Sequence, residues 1–415
     1  MAFSMMQLFV IGALGPRLVG ELGISRTVLG LTTTAGFGAA AVLSLPAGRL
    51  VDRVGPRRCL VALLLLTSVS LALIGAASGA AVLLGAVALG GVPQALANPA
   101  TNKVILAAFP AGRRPGVTGL KQSGVQLGAF VAGLPLSLLA AGVGWRGAVW
   151  AAAGAAATAA LWAARVLPPD VPAAAPAPRD APSAHGASSP HAAPSPHATL
   201  SLHGAPSPYA TSAPHAAPSP HAASAPHGAP RRLACFSLLL GCGIASVNTY
   251  LALFGSQRLG LSPTTAAALV AVLGVAGVAG RVGWSRAAGK PGRAEALPAW
   301  LAAGAVGAAL LLAAATWVHP LVWVATVAVG TFAVSANAVS MVVVMRRAAP
   351  GRAGQDSALV SAGFFAGFAV GPPLFGALVS AAGYGPGWLL AAAEFAMAAV
   401  VAVPLMSRRT GASDV

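Results

Sequence analysis

Charge is almost absent from twelve stretches of this chain, each about fifteen to twenty-five residues long. They lie near 2–16, 28–47, 59–77, 80–102, 117–140 and 147–166, then 233–255, 262–283, 297–317, 320–345, 357–382 and 386–406. A twenty-residue helix rising 1.5 Å per residue matches the ~30 Å hydrocarbon layer of a bilayer. Apolar residues make up 57% of the chain and charged residues only 8%, about a third of the ~25% usual in soluble domains. The expected fold is an all-α polytopic membrane protein with twelve transmembrane helices. A net charge of +17 invites a nucleic-acid reading. The 25 Lys and Arg stand in small groups between the apolar runs, however, and no basic face carries aromatics for stacking bases.

The runs fall into two sets of six. Residues 1–167 hold the first set and 233–407 the second, with a Pro-rich linker over 168–232 and a tail over 408–415. The sets resemble each other. Leu22-Gly23-Ile24-Ser25-Arg26-Thr27 recurs 237 residues on as Leu259-Gly260-Leu261-Ser262-Pro263-Thr264. Ala97-Asn98 recurs as Ala336-Asn337 at 239, and Gly133-Leu134-Pro135-Leu136 as Gly371-Pro372-Pro373-Leu374 at 238. Three matches in order at nearly constant offset argue for two six-helix pseudo-repeats in parallel orientation. With both termini and the linker on one side, only Arg17, Arg26, Arg146 and Arg258 fall opposite the other basic residues. The positive-inside rule makes the basic side cytoplasmic. Heavy Ala, Gly, Arg and Pro usage suits a high-GC bacterial genome, so the expected location is the bacterial inner membrane. No signal peptide is expected. The first run is short, because Pro16 follows only fifteen residues. Either Met1 is internal to the true reading frame, the preferred reading, or helix 1 is abnormally short.

Between the second and third runs sits Gly48-Arg49-Leu50-Val51-Asp52-Arg53-Val54-Gly55-Pro56-Arg57-Arg58. It resembles the loop between helices 2 and 3 of the major facilitator superfamily, whose pattern reads G-x-L-x-D-R-x-G-x-R/K-R/K. Gly48, Leu50, Asp52, Arg53, Gly55, Arg57 and Arg58 fill that pattern, and the resemblance covers everything except the linker. It implies a secondary transporter working by alternating access. It also implies that Asp52 engages the cytoplasmic end of helix 11, so Gly48, Asp52, Arg53, Gly55 and Arg57 are expected to gate. Aligned at 237, the second copy puts Gly289 where the first has Asp52, which places symmetric gating in doubt. Asn102-Lys103, Gly119-Leu120-Lys121-Gln122-Ser123-Gly124 and Gly144-Trp145-Arg146 are similar to bacterial permeases of the cyanate and small-solute group. Gly133-Leu134-Pro135 departs from the drug-exporter signature of helix 5.

In that superfamily helices 1, 4, 7 and 10 line the cavity. The resemblance therefore points to Gln7, Gln94, Asn98, Asn102, Asn248 and Asn337 as solute-binding candidates, with helix–helix hydrogen bonding as the alternative. Gln94, Asn98 and Asn102 recur every four residues and stack on one helix face. Lys103, Lys121 and Arg281 lie at or inside span ends. A cation there wants an anion, and an anionic solute is one candidate, against snorkelling to the interface. Glu394 is the carboxylate set deepest in a span. It would serve a coupling proton or pair with a neighbour. Acids are so scarce that an importer of anions or neutral solutes, or a uniporter, fits better than a proton-driven exporter. Gly124, Gly128 and Gly133, and Gly363, Gly367 and Gly371, read as close-packing helix faces.

His185, His191, His197, His203, His215, His221 and His227 recur through the linker at multiples of six. In polyproline II successive members of such a series lie about 19 Å apart, too far to share an ion. A disordered tether is preferred to a metal tract. Cys59, Cys235 and Cys242 read as small buried hydrophobes. No paired carboxylates support an enzyme, and neither metal nor cofactor is expected. The expected function is transport of a small polar or anionic solute by a monomer in the bilayer. A transport-dead sensor or relic, or a drug exporter of the same fold, is the alternative.

Overall fold

The computed structural model of the chain describes residues 1–110, 114–170, 228–288, 295–347 and 353–405. The linker histidines, Gly289 and the 408–415 tail lie outside the described residues. The described parts of Met1–Pro172 and Ala225–Val415 form one compact unit. Ala173–Ser224 lies outside the described residues.

All regular structure among the described residues is helical. The first half holds α1 (Ala2–Ala13), α2 (Gly15–Leu22), α3 (Arg26–Val54), α4 (Pro56–Gly75), α5 (Ala80–Leu89), α6 (Gly91–Ala108), α7 (Arg114–Gly133) and α8 (Pro135–Val166). The second holds α9 (Gly228–Gln257), α10 (Pro263–Ala288), α11 (Leu297–Ala314), α12 (Leu321–Arg347), α13 (Ala353–Ala382) and α14 (Tyr384–Ala402), closed by a 3₁₀ turn over Val403–Leu405. Ten helical stretches are long and apolar enough to cross a membrane, and an eleventh is the bent pair α1–α2. The twelfth member of the two sets of six is α7. Its Lys121, Gln122 and Gln126 make it less apolar than the others.

Several spans depart from the sequence expectation, among them the second, which stays helical through Gly48–Val54 so that the motif breaks only at Gly55. The first does not end at Pro16. It breaks at Leu14, turns by 62°, and continues to Leu22 with Pro16 in the first turn of α2, where a missing N–H costs nothing. The fifth and sixth spans meet inside α8 at Gly144, whose φ of 79° and ψ of 160° interrupt the helix. Beyond the linker, α9 begins at Gly228, five residues before the expected 233.

The pseudo-repeat is visible in the backbone. Gly23 (φ 62°) and Gly260 (φ 69°) both adopt left-handed turns, at the 237-residue offset. Two residues later the Ser25 hydroxyl accepts the Val28 N–H, and Ser262 accepts that of Thr265 in the same way. These serines cap the next helix, satisfying an N–H that has no intrahelical partner. Gly144 and Gly383 (φ 79° and 89°) form a second equivalent pair, each opening the last span of its half. The halves meet along three seams, α1 with α9, α3 with α13 and α7 with α10. Within the second half, α9 and α13 approach closely. A Cβ on Gly363, Gly367 or Gly371 would collide with the backbone of Ala234, Leu238 or Cys242. Cys59 and Cys242 are buried as expected, but Cys235 is exposed on the outer face of α9.

Candidate functional site

The basic loop is built from within the first half. Asp52 pairs with Lys103 at the end of α6, Nζ to Oδ1 2.9 Å, with side chains 74% and 41% exposed. Such an exposed pair contributes less than ~1 kcal/mol, so it is readily exchanged for another partner. Among the described residues Asp52 is thus engaged within its own half. Lys103, a solute-site candidate, is occupied by the loop.

Behind the loop, Asp170 accepts the backbone N–H of Arg57 (2.8 Å) and of Arg58 (3.1 Å) at the start of α4. A carboxylate suits the partial positive charge of a helix N-terminus. Gly55, at φ 100° and ψ 149°, lies where a Cβ would collide with that carboxylate. The Arg57 guanidinium donates to the Ala164 carbonyl near the end of α8. Gly48 has no neighbour near its Cα face, and Arg53 is exposed.

Deeper in the first half, the helix-4 amides stack as their spacing requires. Lys121 of α7 donates to Asn102 Oδ1 at 2.6 Å and to Asn98 Oδ1 at 3.2 Å. That uses two of its three N–H groups. Gln94, one turn further, is 2% exposed and neither of its amide heavy atoms has a hydrogen-bond partner. It lines a small cavity with Gln7, Thr32, Thr33 and Phe37. Gln7 accepts from Ser70 Oγ at 3.1 Å and donates to the Val87 carbonyl at 3.4 Å. Helix–helix bonding thus accounts for Gln7 and leaves Gln94 unaccounted for.

In the second half Asn248 is buried and donates to the Ile244 carbonyl one turn back, 2.9 Å. Arg281 is turned toward the other half. Its Nη1 crosses the α7–α10 seam to the Gln122 carbonyl at 3.1 Å, and its Nε has no partner. Gln122 is the neighbour of Lys121 in sequence. On α12, Asn337 Oδ1 and Ser335 Oγ are buried and unbonded, and Ser335 lies against Gly280 of α10. Lys121, Asn98 and Asn102 therefore form one cluster, and Arg281 joins the same α7 across the seam. Asn248 and Lys103 are engaged elsewhere. Glu394 is 5% exposed, with Oε2 unbonded and no ion pair among the described residues.

The sequence offered no sign of Asp170 or of a cluster at the opposite end of the bundle. There Arg26, Tyr250, Gln257 and Tyr384 interlock. Each lies outside the loop motif, and their partners are remote in the chain.

A sequence model of the Major Facilitator Superfamily matches residues 1–359. An uncharacterized MFS-type transporter of Mycobacterium tuberculosis is 34% identical over 137 residues, 33% of this chain and 24% of that protein. The match thus spans about a quarter of the relative's length. Among solved structures, a bacterial homologue of the human lysosomal transporter Spinster, inward-facing and occupied, superposes with a TM-score of 0.66 at 15% identity, covering 97% of this chain and 94% of that one. A variant of the nucleoside transporter NupG gives 0.67 at 13% identity, covering 97% and 98%. The human organic anion transporter TETRAN gives 0.59 at 17% identity, covering 97% of each chain. At these identities the likeness is one of fold. Taken with the paired six-helix halves and the filled loop pattern, the sequence match over most of its length shows that the chain belongs to the Major Facilitator Superfamily.

Proposed function

We propose that this chain is a secondary transporter that moves a small anionic or strongly polar solute across the bacterial inner membrane by alternating access. The termini and linker are then cytoplasmic. The family is one of multi-pass membrane transporters. The observation that carries the solute class is a pair of cations, Lys121 of α7 bonded to the α6 amides and Arg281 of α10 at the seam between the halves. Neither has a carboxylate partner among the described residues, where the ion pair is Lys103–Asp52. An Arg at mid-bilayer costs roughly 2.5–3.5 kcal/mol on insertion scales, less near the interface. That cost is best tolerated where water or an anion reaches the group. Arg281 uses one of its five N–H donors on Gln122, which leaves the rest of its planar fork for an oxyanion. The unbonded oxygen of Asn337 and the amide of Gln94 supply further polar groups in need of a partner.

Purified protein screened against small carboxylates and inorganic oxyanions should show a melting shift with at least one of them. Arg281→Lys should weaken that response roughly tenfold, and Arg281→Gln should abolish both it and uptake into vesicles while the protein still runs as a folded peak. Undiminished uptake in the Gln variant would sink the anion reading.

A further inference from the structure

The end of the bundle opposite the basic loop carries a polar strap between the halves. Arg26, at the first turn of α3, donates through Nε to Gln257 Oε1 at 2.9 Å. The same oxygen accepts the Tyr384 hydroxyl at 2.9 Å. The Arg26 guanidinium lies 5.6 Å from the Tyr384 ring centroid, within reach of a cation–π attraction. Beneath it, the buried Tyr250 hydroxyl stands between the carbonyls of Arg26 (2.6 Å) and Pro372 (3.1 Å). Gly30 and Gly376 leave the space that this hydroxyl fills. One turn of α3 is thereby fastened to α9, α13 and α14 of the other half.

The pseudo-repeat shows that this is not a generic packing feature. In the first half the equivalent of Tyr384 is Trp145, which donates to Glu21 Oε2 at 2.7 Å. Its cation is Arg146, 4.3 Å from the indole centroid and bonded to Gly75 and Ala77 of the same half. The second half keeps an aromatic and an acceptor but has Gly385 after Tyr384. Its cation arrives from the other half as Arg26, and the counterpart of Arg26 is Pro263, which cannot reciprocate. The acceptor differs in place and in charge: at the same offset Glu21 corresponds to Arg258, and the group that accepts is the neighbouring Gln257, a neutral amide. A neutral amide and a ring hold the Arg26 cation more weakly than a carboxylate in the amide's place would.

We infer that Arg26 is a one-sided, releasable strap that sets how often the far side opens, with Gln257 as its acceptor and Tyr384 as its rest. The inference builds on the alternating-access reading; its labelling readout needs no solute, and uptake is followed with the one found by the melting screen. Its test is alkylation of a cysteine at buried Leu29, in protein lacking the three native cysteines and held in nanodiscs with both faces exposed. Arg26→Gln should speed labelling at least threefold, and Arg26→Lys should fall between it and the parent. Gln257→Glu turns the strap into an ion pair at almost unchanged volume, and should slow labelling by a similar factor and slow turnover. Should Arg26→Gln fail to fold, the Gln257→Glu protein still decides. Labelling within 1.5-fold of the parent in the Gln257→Glu protein, in a background that transports, overturns the strap. A background that shows neither uptake nor labelling speaks against alternating access instead.

Discussion

Gly55 illustrates how a residue can fill a family pattern for a reason the pattern does not state. Its φ of 100° and ψ of 149° lie in a region that side chains rarely adopt, and its open face is taken by the Asp170 carboxylate. The loop motif was legible because its seven pattern residues fall within eleven consecutive positions. Asp170 was not, since it lies over a hundred residues away at the root of a linker whose composition signals no structure. The same limit hid Gln122, which serves Arg281 through a backbone carbonyl that every residue type possesses. If Asp170 caps α4, Asp170→Ala should lower stability by about 0.5–2 kcal/mol, the usual worth of a capping side chain. Gly55→Ala should cost at least as much, and the double variant should cost less than the sum, because both act on one contact. Melting in detergent checks this. Asp170→Ala melting with the parent would show that the cap carries no stability.

At the scale of elements, periodic apolarity located most of the helices but could not register breaks that arise from single residues. The bend at Leu14 and the interruption at Gly144 are set by local dihedrals, and α7 is polar because it carries the cluster around Lys121. The glycine faces were readable by spacing, and the structure shows what they meet. Gly363, Gly367 and Gly371 let the α13 backbone lie against α9 without intervening side chains. Close backbone approach of this kind is a main source of helix association in lipid. Gly367→Ala should therefore destabilise by about 1–3 kcal/mol, the typical cost of forcing volume into a packed contact. Gly307→Ala, on a face of α11 with nothing near it, should be neutral or stabilise by up to ~1 kcal/mol through helix propensity. Parallel thermal melts compare the two, and equal shifts would contradict the seam.

For the whole molecule, the polar and aromatic contacts between halves run from the far end to mid-bundle. They include Arg26–Gln257, Thr33–Thr249 at 3.0 Å, Phe37–Phe368 with centroids 4.5 Å apart, and Arg281–Gln122. At the basic end, Asp52 and Asp170 bond within the first half. The central claim is that these two ends open in alternation. It is tested most directly by distances between spin labels at exposed pairs, Arg53 with Arg286 on the basic side and Ser25 with Ser262 on the far side. Adding a solute found by the melting screen should lengthen one distance and shorten the other. A change at one end alone, or both distances moving together, would contradict the account.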